Sequence, residues 1–70
     1  MVEKIVELTG TSTSSIEDAV ALAVSRASVT IAGIREAAVT QATAQVEDGK
    51  VRGWRVTVKV TFAIQEQVHE

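Results

Sequence analysis

Five hydroxyl side chains stand in a row at Thr11, Ser12, Thr13, Ser14 and Ser15. A serine or threonine becomes a nucleophile only when a base lies within hydrogen-bond reach and a third group orients that base. The chain has no cysteine, and its one histidine, His69, sits next to the C-terminal end. Ser-His and Cys-His catalysis and thiolate or histidine-rich metal sites therefore lack their components. The hydroxyls are accounted for by capping of a following helix, whose first N–H groups need acceptors. Gly10, just before them, lacks the glycine and lysine spacing of a phosphate loop. The acids Glu3, Glu7, Glu17, Asp18, Glu36, Glu47 and Asp48 are dispersed and form no compact calcium loop. No enzyme is expected from these residues.

The remaining chemistry lies around Trp54 and Arg55. Lys50, Arg52, Arg55 and Lys59 gather in the C-terminal third of the chain, but no second aromatic accompanies Trp54 there, and the net charge is −2. That balance argues against nucleic acid, which calls for a clustered basic surface. From Val51 to Ile64, the residues Trp54, Val56, Val58, Val60, Phe62 and Ile64 alternate with Arg55, Thr57, Lys59 and Thr61. Successive strand residues point to opposite faces, so this is a long strand with an apolar face and a polar one. Trp54 falls on the apolar face, at the core or its rim, and Arg55 on the other.

Three further elements position this strand. Val2 to Leu8 reads as a strand with Val2, Val6 and Leu8 on one face and Glu3, Ile5 and Glu7 on the other. Thr9-Gly10-Thr11-Ser12 is expected to break it. From about Thr13 to Ile31 apolar residues recur at helical spacing, with Ile16, Val20, Ala23, Ala27 and Ile31 on one face and Ala19 and Val24 widening it. Glu17 and Asp18 suit the positive end of the helix dipole, and Ala32-Gly33 ends the helix. Ile34 to Val46 is read as a strand because Asp48-Gly49, a strong two-residue hairpin signal, follows at once. That turn pairs Glu47 with Lys50 and Val46 with Val51. The polar residues 65–70 are expected to be an exposed end.

The predicted fold is α+β: a β-α-β-β chain whose three-stranded antiparallel sheet packs on one helix, with the third strand in the middle. One sheet face is then left uncovered, carrying Arg55, Thr57, Lys59, Thr61 and Ala63, with Glu36, Ala38, Thr40 and Ala42 from the second strand. An unbroken register from the turn sets Arg55 opposite Ala42 and Glu36 opposite Thr61. Glu36 and Arg55 are then six residue pairs apart, roughly 20 Å at about 3.3 Å per residue, so a site using both draws them from two chains. Seventy residues form one domain, 1–70. So small a core, without disulfides or zinc, points to self-association as its reinforcement. No apolar run is long enough to span a membrane and no signal peptide is visible, so a cytoplasmic location is expected.

Three segments carry a family resemblance: Val6-Glu7-Leu8-Thr9-Gly10-Thr11-Ser12, Ala23-Val24-Ser25-Arg26-Ala27, and Val56-Thr57-Val58-Lys59-Val60-Thr61-Phe62. Together with length and element order they resemble the dodecins, small β-α-β-β proteins assembled as hollow homododecamers. The resemblance implies a non-catalytic cage that binds flavin (FMN, FAD or riboflavin) in pairs between subunits, for storage or sequestration. It also implies a tryptophan at the start of the second strand that stacks on the flavin, and a glutamine in the third strand that hydrogen-bonds the ring. In this chain those positions match Glu36 and Arg55, as in a variant subgroup that lacks the flavin tryptophan and includes calcium-binding members. A carboxylate cannot stack and is costly in a desolvated aromatic sandwich, which argues against flavin in the familiar mode. Glu36 and Arg55 of neighbouring chains, or either with Arg35, are expected to form ion pairs there or to be each solvated in the cavity. The resemblance leaves open a flavin-type small molecule, calcium or other ions, or a purely structural assembly, without identifying metal ligands.

Overall fold

The structure, a computed structural model, describes residues 2–64, so His69 and the polar end at 65–70 lie outside the described residues. The elements are β1 (Val2–Ser12), α1 (Ile16–Thr30), β2 (Ile34–Glu47) and β3 (Lys50–Ile64). The strands form one antiparallel sheet in the order β1-β3-β2. The β-α-β-β topology and the central place of β3 are as the residue pattern predicted.

The β2–β3 turn follows from its two central residues. Asp48 has φ 53° and Gly49 φ 74°, the doubly positive geometry of a type I′ turn, which matches the twist of the flanking strands. Glu47 lies opposite Lys50 and Val46 opposite Val51, as expected. The ion pair that forms is instead between Arg52 Nε and Glu47 Oε1 at 3.2 Å, with both side chains more than half exposed, so it adds little to stability.

Two expectations at the β1–α1 connection are corrected. β1 does not break at Thr9 but pairs with β3 through Ser12, with Gly10 opposite Val56 and Ser12 opposite Trp54. Gly10 is required by a close approach rather than by a turn: a Cβ there would lie 2.5 Å from the Ala19 carbonyl oxygen and 3.0 Å from Ala23 Cβ. The helix starts later than Thr13, at Ile16, with Ser15 as its cap. The Ser15 hydroxyl accepts the Asp18 N–H at 2.9 Å. Buried Ser12 accepts the Ser14 N–H at 2.9 Å and donates to Asp18 Oδ2 at 2.6 Å. The hydroxyl row thus spans the strand end, the connection and the cap. At the other end Ile31 is the cap, its N–H bonding the Ala27 carbonyl at 2.9 Å, and Gly33 follows with φ 77°.

The core is thin. Ala19, Ala23 and Ala27 form the buried row of α1, and Val56, Val58 and Val60 are the fully buried side chains of β3. Val6, Leu8, Ile16, Val20, Ile34 and Ala37 pack around this cluster. Sequence periodicity placed Ala23 and Ala27 on the contact face, as found, but set Ala19 at its margin beside Ile16 and Val20. The close approach at Gly10 reverses this, because only alanines fit where the helix backbone nearly touches the sheet. Gly10→Ala is therefore expected to lower unfolding free energy by about 1–3 kcal/mol in chemical denaturation. Thr9→Ala, on an exposed side chain, should stay within about 0.5 kcal/mol.

Candidate functional site

Residues paired across antiparallel strands share a face, so the register defines both sides of the sheet. On the helix side lie Val6, Val60 and Ala37, then Leu8, Val58 and Val39, then Gly10, Val56 and Ala42, then Ser12, Trp54 and Ala44. The opposite side has no helix over it. Its rows are Ile5–Thr61–Glu36, Glu7–Lys59–Ala38, Thr9–Thr57–Gln41 and Thr11–Arg55–Thr43.

The last two rows correct the uninterrupted register. Arg55 faces Thr43 rather than Ala42, while Glu36 does face Thr61. The register shifts between Gln45 and Val46 and shifts back between Val39 and Gln41. Arg52 is the additional residue on β3 and Thr40 the additional residue on β2. Between these bulges residues 41–45 are turned over: Gln41, Thr43 and Gln45 join the Arg55 side, and Ala42 and Ala44 go to the helix side. Thr40 Oγ1 donates to the Thr57 carbonyl at 3.2 Å, holding the second bulge against β3. A third irregularity falls between Ile34 and Glu36, at Arg35. Gln41, Thr43 and Gln45 were not among the residues expected on this face. Their signal was a phase change in the alternation, since core-side Ala37 and the alanines Ala42 and Ala44 have opposite parity.

The predicted site residues are not brought together within one chain. Glu36 is exposed at one end of the uncovered face, Arg55 is exposed toward the hairpin end, and Thr61 and Arg55 are six residues apart on β3. Arg35 lines a groove of about 600 Å³ with Ile34, Phe62 and Ile64 at the sheet end. A second groove of about 480 Å³ runs between β1 and α1, past Leu8, Gly10, Leu22 and Arg26. Neither groove contains Glu36 or Arg55. Trp54 is half-buried and in register with Ser12 and Ala44 on the helix side, and Phe62 pairs with Lys4 and Ile34 on that side too. Among the described residues the uncovered face thus has no aromatic ring on which a flavin could stack. Among those residues, too, no three acids, histidines or cysteines cluster as a metal site, and no helix is long and apolar enough to cross a membrane.

The sequence profile of one family, Dodecin, matches residues 2–65. The chain belongs to the dodecin family. Solved structures agree. The dodecin from Streptomyces coelicolor is 38% identical, with a TM-score of 0.87 and 94% of each chain covered. An arginine-to-alanine variant of the Thermus thermophilus dodecin is 32% identical, with a TM-score of 0.88 over 94% of this chain and 97% of that one. The calcium-chelating immunodominant antigen of Mycobacterium tuberculosis, a calcium dodecin with a novel calcium-binding site, is 30% identical, with a TM-score of 0.80 over 100% of both chains. Comparison with curated protein sequences gives no match.

The Thr40 hydroxyl is the testable support of the turned segment. Thr40→Val removes the bond to Thr57 at constant volume and should cost about 0.5–1.5 kcal/mol in urea denaturation. Thr13→Val, on an exposed side chain outside the sheet, should cost less than about 0.5 kcal/mol.

Proposed function

We propose that this chain is a non-catalytic subunit of a dodecin-like homododecameric cage that holds a small ligand between copies, for storage or sequestration in the cytoplasm. The observation that carries the reading is the uncovered sheet face: it is half polar, it lies on a chain with a thin core, and it presents the positions that match the family's flavin contacts. Those positions are altered to Glu36 and Arg55. With some 20 Å between them in one chain, they act together only across an interface, with Arg35 as a further cation near the Glu36 end. The missing aromatic platform argues that flavin is not held in the family's stacked mode. Light scattering should give a mass near that of twelve chains, and a stable monomer would overturn the reading. Riboflavin fluorescence should show no submicromolar quenching with this protein. The double variant Glu36→Trp, Arg55→Gln should regain quenching by at least about tenfold, in line with a restored stack and hydrogen bond.

A second reading is favoured by the likeness to the calcium dodecin, which spans both chains in full. Here the cage is flavin-free and binds calcium or other ions. Calcium takes six to eight oxygen ligands, and the described acids of one chain do not converge, so such a site is assembled from several copies. Calorimetric titration of the chelator-stripped assembly with calcium tests it. Saturable binding at fewer ions than chains supports a shared site, and no heat removes this reading.

A further inference from the structure

We propose that Arg55 and the polar side chains turned toward it form an oxyanion-binding shelf, which takes free phosphate-type anions or the phosphoryl group of a small molecule. The inference deepens the preceding reading by naming the chemistry of the ligand at the Arg55 end. The placement of Arg55 on the same open face rests on the fold alone.

Two compensating bulges carry the argument. Bulges re-aim side chains and recur beside functional sites. Here the pair at Arg52 and Thr40 turns over only the segment beside Arg55, and the segment returns to the original register before Glu36. An unbroken β2 would set Ala42 opposite Arg55, with Ala44 further along the same face. The turned segment sets Thr43 there instead, with Gln41 opposite Thr57 and Gln45 opposite Gly53. Gly53 leaves room for this: a Cβ at that position would lie 3.0 Å from Gln45 Oε1. With Thr11 opposite Arg55 on β1, one guanidinium is surrounded by hydroxyl and amide donors over roughly 10 Å by 14 Å, at strand spacings of about 4.8 Å and row spacings of about 7 Å.

Charge selects the ligand. None of the rows holding Arg55, Thr57 and Gly53 contains a carboxylate. The carboxylates nearest along the sheet are already matched: Glu7 lies opposite Lys59, about 13 Å away along the strand, and Glu47 is paired with Arg52. Asp18, on α1, lines a groove with Thr11 and Gln45 and is engaged by the Ser12 hydroxyl at 2.6 Å, so it bounds the shelf on the helix side. The guanidinium is a planar fork whose donors fit carboxylate and phosphate oxygens. Hydroxyl and amide groups supply additional donors that a neutral apolar ligand would leave unmatched.

Calorimetry of the protein, in whatever oligomeric state it adopts, with inorganic pyrophosphate in about 150 mM salt to screen diffuse attraction, tests the shelf. Saturable binding is expected, weakened at least about tenfold by Arg55→Gln. Lys4→Gln, which removes an equal charge from the helix side of the sheet, should leave it intact. Binding that is absent, or equal in Arg55→Gln, overturns the proposal. Competition by FMN but not riboflavin places the anion on a phosphorylated organic molecule, and competition by neither identifies a free anion; both outcomes support the shelf. The riboflavin response of the double variant and the assembly mass are read separately. They can fail without altering the pyrophosphate result, and the reverse.

Discussion

The close approach of α1 to β1 at Gly10 is the constraint on which the molecule depends. The helix backbone at Ala19 comes so near the sheet that no Cβ fits at Gly10, and the contact row of the helix is reduced to Ala19, Ala23 and Ala27. Dispersion and apolar burial both reward such intimacy, since alanine loses no side-chain entropy when buried. The same contact fixes the length of β1. Its pairing must continue through Ser12 so that Gly10 lies beneath the helix, and the serines that follow must turn the chain within three residues and cap α1.

A contact this thin has a consequence for the other side of the sheet. Val56, Val58 and Val60 are buried against one layer only, and among the described residues nothing packs over Arg55, Thr57, Lys59 and Thr61. Small domains with modest cores are commonly reinforced by association. The family to which the chain belongs makes a homododecamer the natural form of that reinforcement, and the proposed ligand site is placed on the same face. Stability and binding then draw on a common surface, so changes at Glu36 or Arg55 are to be judged by assembly as well as by ligand affinity.

Within that face Glu36 and Arg55 differ physically. Glu36 sits in a regular stretch of register, beside Thr61 and next to the irregularity at Arg35. Arg55 sits beside a segment whose facing has been reversed by paired bulges. A cation ringed by hydroxyls and amides and a carboxylate some 20 Å away make a polarised surface, unlike an aromatic sandwich.

The residue pattern by itself determined the order of elements, the central strand, the Asp48-Gly49 turn and the face on which Trp54 and Arg55 lie. Each rests on a local property: alternation, helical periodicity or a left-handed turn. It also carried the family resemblance. Only the tertiary structure decided the extent of β1, the alanine row as the centre of the helix contact, and the identity of the residues around Arg55. Gly10 looks in sequence like a turn glycine, and its role appears only when Ala19 is brought over it. Thr40 looks like any strand threonine. Its bulge compensates the one at Arg52, one extra residue on each strand, and although the parity of the alanines in β2 changes, only the pairing with β3 shows where the change falls.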